Sequence, residues 1–282
     1  MTKVRIVTDS TADIPKEIVE ELGIIVVPLK VSFGTEVYRD GVDITSAAFI
    51  SRLQSATTLP TTSQPSPGEF VALYEKLIAK GDTIISIHIS SKLSGTMQSA
   101  QTAKTVTDSR NIYIVDSKSA SLGLGLMVIA AAKAARENKS VHEILSMIKE
   151  KVDNSFILFL VETLDYLEKG GRIGKANALL GSLLKIKPIL TIDDEGQVIP
   201  LEKVRGTSKA LLRLSQIVAE RINDSKRYSC ALVYGDDYTN VINLKEQLLP
   251  ILHCDNILTN KIGPVITAHT GPGLLGVIVS PE

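Results

Sequence analysis

Two hydroxyl-rich segments hold the residues best suited to chemistry. One is Pro60–Ser66, PTTSQPS, and the other is Ser90–Thr96, SSKLSGT. A short apolar run, Ile84–Ile89, leads straight into the second, and helix-like sequence follows both. In an α/β protein, a strand followed by a hydroxyl loop and a helix start is a way to hold a small anion. The first helical turn has free backbone N–H groups and a partial positive charge, and Ser or Thr adds short donors aimed at the same point. A third segment, Ala268–Gly273 (AHTGPG), sets His269 beside a sharp Gly-Pro-Gly turn. There the ring could face a ligand or simply bond a loop carbonyl. Ser94 with His269 could act as nucleophile and base in a serine-dependent hydrolase or acyltransferase. Against that reading, the chain has no G-x-S-x-G elbow, and no single acid among Asp9, Asp13 and Asp116 stands out to orient the histidine.

Other motifs lose on spacing. Gly170–Lys175, GGRIGK, lacks the distant glycine of a nucleotide phosphate loop, because Lys169 stands in its place, and Ala176 follows the lysine where Ser or Thr is required. Ser121–Leu126 has a GxG but not the rest of a dinucleotide fingerprint, and close helix packing explains those glycines better. The histidines have no metal-ligand spacing, so no metal is expected. His88, between two isoleucines, reads as a satisfied core or edge histidine, and His142 and His253 read as surface or loop residues.

The elements that must position these residues follow from periodicity and capping. Val4–Thr8 predicts an opening strand, with Asp13 as N-cap of a helix over 15–22, and 24–31 a buried strand. Residues 33–41 predict a hairpin, and 45–53 a short helix. Ser66 with Glu69 forms a capping box for a helix over 67–80, and Ser140 with Glu143 forms another. Strands are predicted at 83–89 and 111–116, with helices over 96–106 and 122–137. The second half predicts a strand at 156–161, short helices at 164–171 and 177–184, and a hairpin over 188–200. A long helix over 208–222, a strand at 228–234, a helix over 240–249, and strands at 256–263 and 274–279 complete it. This alternation indicates two closely packed α/β lobes, 1–153 with a mainly parallel sheet and 154–282 with a mixed one. If the strand at 84–89 is parallel to the first, both hydroxyl segments lie at carboxyl strand ends, where such sheets bind ligands.

Composition narrows the classes. The 282 residues are 44% hydrophobic and only 4% aromatic, with no Trp, so the core must be aliphatic. Lys plus Arg equals Asp plus Glu at 31 each, so global charge provides no footprint for nucleic acid or an anionic membrane. No run is apolar for long enough to insert stably in a bilayer, and the start of the chain reads as a strand rather than a signal peptide. Cys230 and Cys254 read as buried thiols in a reducing compartment, and the expected location is the cytoplasm.

Six ordered blocks are similar to those of the DegV family. They are Val7–Asp13, Pro60–Ser66, Ser91–Thr96, Asp116–Gly123, Glu162–Gly174 and Gly263–Gly273, and they span essentially the whole chain. Characterised members of that family are fatty-acid-binding subunits of bacterial fatty acid kinase. The resemblance implies a two-domain fold enclosing one long-chain fatty acid, with no other cofactor. It implies that Thr62 and Ser94 hold the carboxylate, with Gly95 and Thr96 beside them and His269 near the same head group. It also implies that the protein is not itself an enzyme, and that a separate ATP-dependent kinase catalytic subunit converts the carboxylate to an acyl-phosphate. Arg172, with Lys175 and Arg205, would then belong to the surface that meets the kinase. A sensor that docks a partner according to its lipid would share the same site.

Overall fold

The computed structural model describes residues 3–180, 186–223, 226–252 and 256–282. Its first half contains β1 (Val4–Asp9), α1 (Lys16–Leu22), β2 (Ile25–Val27), β3 (Lys30–Phe33), β4 (Glu36–Arg39), α2 (Ser46–Ser55) and β5 (Thr61–Ser63). These are followed by α3 (Pro67–Ile78), β6 (Thr83–His88), α4 (Thr96–Thr107), β7 (Ile112–Asp116), α5 (Leu122–Arg136) and α6 (Val141–Asn154). The second half contains β8 (Phe156–Leu160), α7 (Asp165–Lys169), β9 (Ile186–Ile192), β10 (Val198–Arg205) and α8 (Thr207–Arg221). It ends with β11 (Tyr228–Tyr234), α9 (Thr239–Leu252), β12 (Ile257–Lys261), α10 (Pro264–Thr270) and β13 (Leu275–Pro281).

Three sheets organise these elements. The first, β2-β1-β6-β7, is parallel throughout. The second, β10-β9-β8-β13-β11-β12, is antiparallel except for the β11–β12 pair. The expected parallel and mixed sheets are both present. A small antiparallel sheet, β4-β3-β5, extends from the first half. Helix α5 packs between the two large sheets, touching β1, β6, β11 and β13. From Leu122 to Ala132 it is apolar on every face and almost wholly buried, as a helix between two sheets must be, and only Lys133 and Arg136 near its end are exposed. Both capping boxes form, at Ser66 with Glu69 and at Ser140 with Glu143.

Several expectations need correction. The run 24–31 is two strands in two different sheets, because Pro28 lacks the N–H that a continuous ladder needs. Asp13 does not cap α1, whose N-cap is Pro15; its carboxyl group is turned inward to Ser121 and Gly263. The helix expected at 177–184 is a 3-10 turn, Gly174–Leu179, with 181–184 outside the described residues. Cys254 and His253 also lie outside them, while Cys230 is buried and His142 is exposed on α6. Gly174 owes its place to that turn: its φ is +51° and a Cβ would collide with the Val198 carbonyl, so this glycine serves close packing on β10. Among the described residues no helix is long and apolar enough to cross a membrane.

Candidate functional site

Strand β6 is parallel to β1, so Ser90–Thr96 leaves the sheet at its carboxyl edge, as the expected topology required. Pro60–Ser66 differs from expectation. Its centre is β5, an edge strand that pairs Thr62 with Val31 of β3. Thr62 therefore reaches the site from a ladder and not from a loop. His269 also differs: it sits in the last turn of α10, a helix that starts with Pro264 at its first position and ends at Gly271.

These pieces meet around one end of a cavity of about 340 Å³. Thr62 Oγ1 lies 2.8 Å from His269 Nε2. A Cβ on Gly170 would overlap His269 Nδ1, so only glycine lets this backbone lie against the ring. Arg172 donates through Nη1 to the Gly170 carbonyl at 2.7 Å and through Nε to the Leu93 carbonyl at 2.9 Å. Ser94 follows Leu93, and its Oγ is 2.9 Å from Thr96 Oγ1 and 3.3 Å from the Thr96 N–H that donates to it. Gly95 lies under the Gln64 side chain, and Gln64 returns the path to β5. Thr62, His269, Gly170, Arg172, Leu93, Ser94, Gly95 and Gln64 thus close a ring of contacts. Beyond this ring the wall is mostly aliphatic and aromatic, with Ile157, Phe159, Ile192, Val198, Val233 and Leu274 contributed by β8, β9, β10, β11 and the turn before β13, and Ser121 and Thr270 among them.

The electrostatics of this end are set by Arg172. Among the described residues it is the one Lys or Arg lining the cavity. Burial, and then the Arg172 charge, push His269 down to about 4, so at neutral pH the imidazole adds no charge. Among the described residues Nδ1 has no hydrogen-bond partner. The sign of the resulting pH effect is fixed. An unfolded histidine takes up its proton near 6.5 and the folded one only near 4, so His269 costs stability progressively as pH falls through that window. Asp40, raised by burial to about 6, works in the opposite sense, because its cost appears as pH rises. Thermal unfolding of the ligand-free protein between pH 4 and 7, compared with His269→Gln, separates the two. The substitution is expected to stabilise the protein at pH 4.5 relative to pH 7, and parallel profiles would contradict the assignment.

The expected Arg172 surface role fits this placement poorly, since the guanidinium is half-buried in the cavity wall. Lys175 and Arg205 are exposed and do not line the cavity; Lys175 pairs with Asp193 at 2.8 Å. Gln64, Ser63 and Ser121 also line the cavity; all three fall inside the motif blocks, but residue type alone assigns them no role. Ser90 has a structural role, donating to the Gly196 carbonyl at 2.8 Å and joining the hydroxyl loop to the β9–β10 turn.

A hydrolase based on Ser94 and His269 would need them bonded to each other, with an acid on the far side of the ring. His269 is instead paired with Thr62, and Ser94 with Thr96. A Ser–His–Asp chain does occur elsewhere: Ser86 Oγ is 2.8 Å from His88 Nε2, and His88 Nδ1 is 3.0 Å from Asp9 Oδ2. All three residues have zero exposure, and Tyr74 donates to the same serine. His88 is the satisfied core histidine its position predicts, and no substrate can reach Ser86.

Comparison with known proteins follows the same outline. A family model described as an uncharacterised protein of the DegV family matches residues 3–282. A DegV domain-containing protein of Halalkalibacterium halodurans is 38% identical over 278 residues, covering 98% of each chain. Among solved structures, a DegV family protein from Thermus thermophilus, described for its fatty acid binding, superposes with a TM-score of 0.95 at 36% identity and full coverage of both chains. DegV of Bacillus subtilis, described as a fatty acid binding protein, gives 0.90 at 34% identity, also with full coverage of both.

Proposed function

The chain belongs to the DegV family, and from that premise we propose that it binds one long-chain fatty acid in the cavity with the carboxylate at the Thr62–His269–Arg172–Ser94 end. The observation that carries this reading is a mainly apolar cavity on whose lining Thr62, His269, Arg172 and Ser94 are joined by one ring of contacts. A sixteen-carbon tail has about fourteen methylenes, and at about 0.8 kcal/mol each their burial contributes on the order of 11 kcal/mol gross. A head group taken out of water must be paired, and hydroxyls with one guanidinium meet that need. Residues 1–153 and 154–282 are taken as two lobes, the first supplying Thr62, Ser94, Gly95 and Thr96 and the second closing the wall with Arg172 and His269.

The finer role is presentation. The bound carboxylate is offered to a separate ATP-dependent kinase in the cytoplasm, which returns an acyl-phosphate, with Lys175 and Arg205 on the exposed surface toward that partner. The absence of a Ser94–His269 bond favours holding over reacting. Organic extraction of the purified protein, read by mass spectrometry, is expected to release long-chain fatty acid at about one equivalent. Protein that carries no lipid, yet has an esterase activity abolished by Ser94→Ala, would overturn the proposal.

A further inference from the structure

Helix α10 is only seven residues long, yet it places His269, and its N-cap Gly263 has no side chain with which to cap it. A helix this short has little stability of its own. Its first turn is held instead by two carboxyl groups from the opposite end of the chain. Asp13 Oδ1 accepts from the Gly263 N–H at 2.9 Å, and Asp13 Oδ2 accepts from Ser121 Oγ at 2.5 Å. The Asp13 carbonyl accepts from Asn260 Nδ2 at 2.6 Å. The Asp40 carboxyl group lies beside the same turn, where the Val265 N–H and the Ser10 hydroxyl favour its charged form. A Cβ on Gly263 would lie 2.8 Å from Asp13 Oδ1 and 3.3 Å from Asp40 Oδ1, so the two groups flank the helix start at contact distance.

The arrangement is costly. Asp13 is 7% exposed and Asp40 3%. Asp13 has φ +48°, a region non-glycine residues enter at the expense of strain. Asp40 Oδ2 has no hydrogen-bond partner among the described residues. Burial raises both carboxyl groups above their ordinary range, Asp40 to about 6, with Asp9 adding like charge to each. At the other end of the helix the fit is close. The His269 ring lies against Gly170 and its Nε2 is bonded to Thr62, so a small displacement of α10 would break one contact or overlap the other.

We infer that Asp13 and Asp40 are positioning residues for the head-group site: acting through α10, they fix His269 against Thr62 and thereby set affinity for an anionic head group. The inference takes its probe, palmitate, from the fatty-acid reading above.

The test uses the full chain with two readouts. One is the imidazole nitrogen resonances of His269 in lipid-free protein, assigned by comparison with His269→Gln. The other is the palmitate dissociation constant by calorimetry. Asp40→Ala is expected to shift the His269 resonances and weaken palmitate about tenfold, the scale of one charge-assisted hydrogen bond. Asp40→Asn, whose amide oxygen can face the Val265 N–H from the same position, is expected to restore both. Folded Asp40→Ala with unmoved His269 resonances would overturn the inference, as would an Asn variant as impaired as Ala. If Asp40→Ala does not fold, Ser10→Ala serves: it removes the hydroxyl beside Asp40 and, with it, the acceptor of the Leu29 N–H; a smaller shift of the His269 resonances supports the inference, and none overturns it. If wild-type protein fails to bind palmitate, the fatty-acid reading fails, and the His269 resonances alone decide for or against the positioning role.

Discussion

Arg172→Met is expected to weaken palmitate binding by about 100-fold or more, because removing one partner of a buried charge pair costs roughly 2–5 kcal/mol. In the proposed complex the carboxylate leaves water at an end of the cavity where His269 is neutral, and among the described residues Arg172 is the only charged group that can offset it. Methionine keeps much of the arginine stem's packing volume while removing the charge and the fork. The substitution also frees the Leu93 and Gly170 carbonyls, so affinity alone would not separate charge compensation from loosened architecture. Two comparisons do so. Arg172→Lys keeps the charge without the planar fork and is expected to fall between wild type and Met. Hexadecanol, equal in length but uncharged, should bind Arg172→Met nearly as well as it binds wild type. Displacement titrations with both lipids measure the ratio, and an unchanged preference for palmitate over hexadecanol would show that Arg172 does not face the head group.

Legibility in the sequence divides along physical lines. Elements whose signals are local were readable. Helices α3 and α6 have complete capping boxes, and β6 is isoleucine-rich and buried at every position, as a strand covered on both faces must be. What depended on the partner chosen by each strand was not readable. Residues 24–31 look alike whether they form one strand or two, because Leu29 and Val31 are buried in either case, here beneath the small sheet. Strand β5 contains no apolar residue, so nothing in its pattern separates a three-residue edge strand from a hydroxyl loop. The start of α10 did carry a signal, Gly263 followed by Pro264, but a seven-residue helix is too short for periodicity to register. The site was legible as a set of residue types and illegible as a geometry. Thr62 and His269 are 207 positions apart, and Asp13 and Gly263 are 250 apart. Arg172 shows the limit most clearly: an arginine among glycines and lysines reads as surface, and only the fold turns it toward Leu93 and the cavity.

Asp9→Ala is expected to be the most damaging single substitution away from the cavity, lowering stability by about 3–5 kcal/mol, the range for breaking a buried charged network. Asp9 has zero exposure and accepts four hydrogen bonds. They come from the Thr11 N–H at 3.1 Å, the Thr11 hydroxyl, His88 Nδ1 at 3.0 Å and the Ile89 N–H at 3.1 Å. The chain beyond it has one direction. Tyr74 donates to Ser86, Ser86 donates to His88 Nε2, and His88 donates from Nδ1 to the carboxylate. Alanine leaves these donors buried without acceptors, which costs more than the bonds themselves contributed. Asparagine does not rescue, since its NH₂ must face either the Thr11 N–H or the Ile89 N–H, and a backbone N–H can only donate. The damage should also reach the site, because Ile89 is the last residue before Ser90–Thr96, and a freed Ile89 amide leaves the loop that carries Ser94 without its anchor on β1. Thermal denaturation is expected to show a fall in Tm of about 10 °C, at roughly 2–4 °C per kcal/mol for a chain of this size. Hydrogen exchange at the Ile89 amide should accelerate in step. A variant that melts within 2 °C of wild type, with Ile89 still protected, would mean that the four bonds are replaced by others when the carboxylate is lost.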